Sequence, residues 1–306
     1  MAIPTTRVNE PADIQINTSL CSGCGLCVEV CKDFSLVIKN GKVSINENPV
    51  FGCIACGHCM AICPNGAIKI SGRTLDETSL FEIPSKKEMP DYKQIMALFQ
   101  WRRSIREFLD KDVEDEKLQK ILNAAVTAPM GLPPSDVRVL VFRGKEKSKA
   151  FAFDFVDYLQ SFKYLTSNWF LSLMKPFWGK ENDELFKGFV RPMMNIYTKG
   201  KAEGNNYVNY DAPLLLYFYG SPYSDPADPL IAATYSMIAA ESLGLGSCML
   251  GAVHPLIQNG NKAAKFREKW GIKYKSREGL FLAIGYSKVK YKAGISRSFA
   301  SIDYVS

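Results

Sequence analysis

The sequence contains no apolar run approaching the roughly 20 residues that a membrane-spanning helix needs. Its most apolar window, Trp169 to Trp178, is short and is broken by Lys175 and Pro176. Met1 to Leu20 carries Arg7, Glu10 and Asp13 where a secretion signal would have its apolar centre. These two absences set the expectation of a cytoplasmic protein with no membrane partner. Basic tracts are missing too: the formal net charge of +7 at pH 7 is scattered along the chain, so no nucleic-acid partner is expected. A dinucleotide-binding G-x-G-x-x-G is absent, and no constellation obliges a side chain to act as nucleophile or general acid, so no catalytic residue is assigned. What is present is an ordinary globular balance, 47% hydrophobic and 23% charged. A chain of 306 residues is long enough for a small module and one domain with a sizeable core.

Nine cysteines stand out, and eight of them fall into two runs. The first is Cys21-Ser-Gly-Cys24-Gly-Leu-Cys27-Val-Glu-Val-Cys31, and the second is Cys53-Ile-Ala-Cys56-Gly-His-Cys59-Met-Ala-Ile-Cys63-Pro64. Both read C-x2-C-x2-C-x3-C, the spacing of bacterial iron–sulfur proteins. Three thiolates two residues apart wrap a tight loop around one face of a cubane, and the fourth is expected on a short helical turn leading towards a second one. Gly23, Gly25 and Gly57 permit the positive φ and close approach such loops need. Structural zinc and disulfides compete with this reading, but zinc sites use cysteine pairs and a reducing compartment disfavours disulfides. The pattern resembles the two-cluster ferredoxins, in which the fourth cysteine of each run ligates the other cluster. That resemblance assigns Cys21, Cys24, Cys27 and Cys63 to one [4Fe–4S] cluster, and Cys53, Cys56, Cys59 and Cys31 to the other. Lys32 stands where the first run would carry a proline, and His58 is expected at the surface. Such a metal-binding module is too small to bury much apolar core, so the clusters hold it together. The ninth cysteine, Cys248, reads as a small buried residue.

The flanking sequence suits this module. Ser35 to Asn46 reads as a hairpin turning at Asn40-Gly41, and Ala67 to Ile70 as a short strand. Ser71 to Asp91 is polar, with Pro84, Lys86, Lys87, Glu88 and Pro90, the composition of a linker. Beyond it, Tyr92, Ile95, Met96, Phe99 and Trp101 recur at helical spacing. A second helix is expected over Asp115 to Ala128, stopped by Pro129, with Leu118, Ile121, Leu122 and Ala125 facing inwards. Strands are expected at Val137 to Phe142, Ala212 to Tyr219 and Gly279 to Tyr286, and a long helix from Asp228 to Leu243 that Gly244-Leu-Gly246 ends.

Arg102-Arg103-Ser104-Ile105-Arg106-Glu107-Phe108 concentrates cationic groups at a helix end, which suits an anionic ligand. Arg-Arg-Ser-x-Arg-x-Phe, followed by a helix ending Ala-Ala-x-x-Ala-Pro129, is similar to the opening of the FMN-dependent nitroreductase family. Ile231 to Gly251, with its Gly-Leu-Gly-Ser, and Leu-Ala-Ile-Gly-Tyr286 resemble its later landmarks. An N-terminal two-cluster ferredoxin is a known arrangement in that family. The resemblance implies an α+β chain: a ferredoxin-like two-cluster domain over 1–75, a linker over 76–90, and a three-layer α/β/α domain over 91–306 with a helical insertion at about 151–210. It further implies non-covalent FMN at a homodimer interface. Arg102 and Ser104 would hold the phosphate and ribityl chain, Arg103 would be a further cofactor contact, and Arg106 would face the N1/O2 side of the flavin. Arg297 would be a second phosphate contact, and Leu250 and Gly251 would bring backbone N–H groups to N5. Pro133 and Ser135 take the places of a family Asn and Gln that reach the flavin from the neighbouring subunit. Pro133 lacks an N–H to donate.

The implied activity is electron transfer by an oxidoreductase, between [4Fe–4S] clusters and FMN, to a small organic acceptor such as a nitroaromatic, quinone or activated alkene. An external ferredoxin or NAD(P)H is the expected donor. Two rivals stand beside it: a non-enzymatic carrier or redox sensor, and a flavin dehydrogenase delivering electrons to ferredoxin. The aromatics of the insertion, among them Trp169, Phe170, Phe177, Trp178 and Tyr197, are expected to fill an added helical core or widen the dimer interface rather than form a substrate lid.

Overall fold

The computed structural model describes residues 3–305. Its N-terminal module runs β1 (Asp13–Ile16), α1 (Leu26–Val30), β2 (Leu36–Lys39), β3 (Lys42–Ile45), α2 (His58–Ile62) and β4 (Ile68–Ser71). β1 and β4 pair antiparallel from Asp13–Ser71 to Ile16–Ile68, so the first and last strands close the module. β2 and β3 form the expected hairpin. Its turn residues Asn40 and Gly41 both have positive φ, 51° and 73°, the turn whose twist matches the strands on either side. The small core consists of Leu36, Val43, Met60, Ile68 and Ile70 together with Cys21, Cys27 and Cys59. The thiols are thus part of the packing.

α1 and α2 repeat one design. Each is five residues long and is entered through a left-handed glycine, Gly25 at φ 79° and Gly57 at φ 77°. A side chain there would be strained. The third cysteine of each run, Cys27 or Cys59, lies inside the helix, and the fourth, Cys31 or Cys63, is the extended residue that ends it. This corrects the expectation that the fourth lies on the helical turn. By leaving the helix at that residue, the chain carries the fourth thiol away from the first three.

Two 3-10 turns, Glu77–Ser79 and Lys86–Glu88, punctuate the polar connection. Then follow α3 (Tyr92–Trp101), α4 (Asp115–Val126), β5 (Val137–Arg143), α5 (Lys145–Gln160), α6 (Asn168–Leu185) and α7 (Arg191–Ala202). The chain continues through β6 (Leu214–Gly220), α8 (Asp228–Ser242), β7 (Gly246–Leu250), α9 (Val253–Leu256), α10 (Asn261–Lys269) and β8 (Gly279–Gly285). The sheet order is β5-β6-β8-β7, and every pairing is antiparallel. The central strands β6 and β8 are buried along their whole length, as continuous apolar runs should be when both faces are covered. Alternate residues divide between two cores. Leu215, Tyr217, Tyr219, Phe281 and Ala283 pack with α5, α9 and α10. Leu214, Leu216, Phe218, Leu282 and Ile284 pack with α4 and α8. The result is the three-layer α/β/α arrangement.

Two features depart from the sequence reading. β7 was hidden because it begins at Gly246, directly after the αL residue Gly244 (φ 75°) that ends α8, with no loop between them. α3 has the expected helical span but buries none of its residues, and Trp101 is 72% exposed. In the insertion, Tyr197 packs on the main core and Trp178 stacks on Phe186 at 4.7 Å. Trp169 and Phe177, however, are exposed. α6 contains Pro176 and a non-helical Gly179, so it cannot present one continuous inward face. Among the described residues no helix is long and apolar enough to cross a membrane.

Phe281 is fully buried and stacks between Tyr217 at 3.8 Å and Phe151 at 5.0 Å. Phe281→Ala should cost about 3–5 kcal/mol. Urea denaturation followed by tryptophan fluorescence tests this, and a loss below about 1 kcal/mol would show that the stack is not central to stability.

Candidate functional site

The cysteines of the two runs are free thiols, and several approach one another across the runs. Cys27 has Cys63 and Cys24 as its charged neighbours. Cys53 has Cys56 and Cys31, and Cys59 has Cys53, Cys56 and Cys31. Cys63 thus lies near Cys27, and Cys31 near Cys53 and Cys59. Backbone N–H groups point at sulfur: Gly23 donates to Cys21 Sγ at 3.4 Å and Ala67 to Cys63 Sγ at 3.2 Å. Backbone N–H groups of Val43 and Gly23 hold the Cys21 thiol below its ordinary value, with Lys42 adding to the effect. Burial pushes Cys27 and Cys53 up and Cys59 up to about 12, with the neighbouring thiols adding to it. Buried thiols resist ionising beside one another unless cations share the space. Among the described residues no three Cys, His, Asp or Glu side chains converge tightly enough to hold a single metal ion. An all-sulfur donor set in two quartets, with amide donors to sulfur, fits iron–sulfur clusters. His58 is exposed, as the sequence suggested.

The arginine segment leaves α3 at Arg102, whose backbone is extended. It then runs along the open edge of β7. Ser104 forms a parallel bridge with Ser247, Ile105 N–H donates to Ser247 O at 2.9 Å, and Leu109 N–H to Tyr286 O at 2.9 Å. Glycine is required at 246, because a Cβ there would lie 2.4 Å from Ile105 Cγ1. Arg102 reaches towards Met237 Sδ at 3.7 Å, and Arg103 donates to Arg102 O at 2.8 Å. Glu241 is the acid nearest to them. Burial raises its pKa, and Arg102 and Arg103 pull it back. Arg106 lies 5.9 Å from the Tyr210 ring centre and beside the buried Cys248 thiol, which burial pushes up and Arg106 draws down.

Among the described residues, no ion pair engages Arg102, Arg103 or Arg106. The Ser247 hydroxyl next to them is buried without a hydrogen-bond partner. Unpaired guanidinium groups beside an orphaned hydroxyl fit an anionic ligand rich in hydrogen-bonding groups, such as a phosphorylated flavin. Leu250 closes β7 and is buried, and Gly251 is exposed at the turn into α9. Arg297 is not brought to this edge. It lies in an exposed tail, although the tail passes Arg103 three residues earlier, at Gly294.

Pro133 and Ser135 lie in the segment between α4 and β5, which is held from both sides. Gly131 N–H donates to Asp228 Oδ1 at 3.0 Å. The Ser135 hydroxyl is turned onto its own loop, accepting from Val137 N–H at 3.2 Å. The carbonyls face the N-terminal part of the chain: Pro133 O accepts from Arg73 Nη2 at 2.8 Å and Ser135 O from Arg7 Nη1 at 3.4 Å. Asp136, buried, accepts from Thr6 N at 2.8 Å, Thr6 Oγ1 at 2.7 Å and Ser221 Oγ at 2.8 Å. Sequence reasoning missed Arg73, Thr6 and Asp136, whose partners are far away in the chain. The only local signal was one arginine just after β4 in a stretch that otherwise reads as linker.

The family model described as "Nitroreductase family" matches residues 99–286, and that of a 4Fe-4S dicluster domain matches residues 20–68. Among solved structures, a nitroreductase with bound FMN from Desulfitobacterium hafniense is 23% identical, covering 69% of this chain and 97% of its own, with a TM-score of 0.49. One with bound FMN from Bacteroides fragilis is 17% identical, covering 70% and 99%, with a TM-score of 0.49. A BluB-like flavoprotein from Clostridium difficile is 18% identical, covering 67% and 94%, with a TM-score of 0.46. No curated protein matches the chain.

Two outcomes follow from the quartets. Cys31→Ser and Cys63→Ser should each abolish one cluster and leave about half the iron, measured by iron and sulfide analysis. If instead Cys31→Ser disturbed the Cys21 quartet, the crossed grouping would be wrong. Ligation requires thiolates, and burial raises the pKa of Cys27, Cys53 and Cys59, so cluster loading should weaken as pH falls. Reconstitution at about pH 8.5 should therefore outpace that at about pH 6.5, and a flat profile would contradict the direction of those shifts.

Proposed function

The chain belongs to the nitroreductase family, and from that premise we propose that it is a ferredoxin-fused flavin oxidoreductase. In this reading electrons enter through the thiol quartets and are spent at the arginine edge on a small organic acceptor, a nitroaromatic, quinone or activated alkene. Bound [4Fe–4S] clusters supply one-electron transfer, and bound FMN supplies the change from single electrons to a paired transfer. The observation that carries the reading is the set of three guanidinium groups without a carboxylate partner beside the buried, unpartnered Ser247 hydroxyl, in one chain with two cysteine quartets.

Arg102, Arg103 and Ser104 hold the phosphate and ribityl chain. Arg106 holds positive charge at the N1/O2 side, where it favours the anionic reduced ring. The backbone N–H groups of Leu250 and Gly251 face N5, and the Pro133–Ser135 segment lines the neighbouring subunit's pocket. A homodimer is supported by α3, whose Tyr92, Phe99 and Trp101 are exposed in the single chain. A second copy would cover that apolar face.

Anaerobic stopped-flow with reduced ferredoxin and with NADH, each as sole donor, tests the route. Ferredoxin should reduce the clusters first and then bleach the flavin at about 450 nm. Fast flavin bleaching by NADH while the clusters stay silent would overturn it. Arg102→Met should weaken FMN binding by roughly 10- to 100-fold, the worth of one charge-assisted phosphate contact. Fluorescence titration reads this, and unchanged affinity would remove Arg102 from the phosphate site.

A further inference from the structure

Arg73 is 4% exposed, and its guanidinium is solvated by backbone carbonyls from four separate parts of the chain. Nε donates to Ile54 O at 3.2 Å and Nη1 to Glu10 O at 3.0 Å. Nη2 donates to Ile3 O at 3.1 Å and to Pro133 O at 2.8 Å. Ile54 follows Cys53 directly, and Pro133 belongs to the segment assigned to the flavin pocket. One side chain therefore bridges a cysteine loop and a flavin loop.

The turn that delivers it is unusual. Gly72, Arg73 and Thr74 all have positive φ, at 95°, 51° and 65°, closed by the Gly72–Leu75 bridge. Two non-glycine residues in the left-handed region are disfavoured, and here the conformation sends the arginine inwards instead of into solvent.

A buried cation is costly unless an anion answers it. Among the described residues, no Asp or Glu forms an ion pair with Arg73. Burial draws its pKa down, and proximity to Cys53 opposes this. The cation is thus held next to a residue of the second cysteine run, through the carbonyl of Ile54 that directly follows Cys53. The other run has a different cation: Lys42 Nζ donates to Cys21 O, and that lysine lies on the β2–β3 hairpin.

We propose that Arg73 is a positioning residue that clamps the loop of the Cys31/Cys53/Cys56/Cys59 cluster to the 131–136 segment and raises that cluster's reduction potential, making it the one that exchanges electrons with the flavin domain. One-electron reduction makes a cluster more negative, and a fixed guanidinium nearby stabilises that state, more strongly where water is excluded. Removing the charge lowers the potential. The inference rests on the function proposed above.

The test is a potentiometric titration of the fully loaded protein, followed by EPR, on wild type, Arg73→Met and Arg73→Lys, with hydrogen–deuterium exchange over residues 131–136. In R73M one cluster midpoint should fall by at least the equivalent of a tenfold change, about 59 mV for one electron, while the other holds. Exchange over 131–136 should rise. R73K keeps the charge and loses the planar fork, so its midpoint should fall less than that of R73M while its exchange still rises. Both midpoints unmoved in R73M, or equal falls in R73M and R73K, would overturn the proposal. If R73M cannot hold both clusters, R73K decides alone. Failure of R73K to load would also overturn the tuning role, leaving Arg73 a folding residue. A wild-type protein that takes up no clusters or no FMN would instead fail the proposed function itself.

Discussion

Charge left without an opposite partner is the constraint around which this chain is organised. In the N-terminal module, thiols that must ionise to serve as ligands are buried side by side, and burial alone opposes their ionisation. Among the described residues, three guanidinium groups along β7 stand without an ion-paired carboxylate, and Arg73 is a buried cation held by backbone carbonyls. None of these groups is at ease in the polypeptide alone. Cationic iron among the thiols and a phosphate beside the arginines would resolve the imbalances, so the protein chain has the form of a set of half-completed electrostatic pairs.

Chain crossing gives the small module its order. Because α1 and α2 last only five residues and then turn extended at Cys31 and Cys63, each quartet draws on both halves of the module. Cys63 and Cys31 each approach thiols of the other run, in a module that β1 and β4 close. The larger domain owes its rigidity to ordinary packing. Two strands buried on both faces carry two separate cores, so the β7 edge and the arginine segment beside it rest on a well-determined floor.

The parts of this architecture that sequence exposes are those specified locally. Cysteine spacing reports ligand geometry directly, and β6 and β8 read as strands because burial on both faces demands continuous apolar runs. The Asn40-Gly41 turn is visible because only a few residues tolerate its backbone. β7 escaped because a glycine that ends a helix and a glycine that permits close packing look alike in sequence, and Gly244 is the first while Gly246 is the second. α3 deceived in the opposite way: its periodicity is real, but none of its residues is buried in this chain. The Ser135 hydroxyl, read as a substitute flavin contact, is engaged by Val137 N–H, a choice that depends on the local turn rather than on residue type.

Arg73 was illegible for a deeper reason. Its meaning comes from four carbonyls spread from Ile3 to Pro133, and backbone carbonyls carry no sequence signature. The use of carbonyls has a consequence of its own. A carboxylate partner would satisfy the guanidinium more strongly, but its negative charge would cancel the field at Cys53 and leave a neutral clamp. Carbonyl dipoles solvate the cation while preserving its net charge. A clamp built this way fastens two parts of the protein together and still acts electrostatically on a cluster beside it, which a salt bridge in the same place could not do.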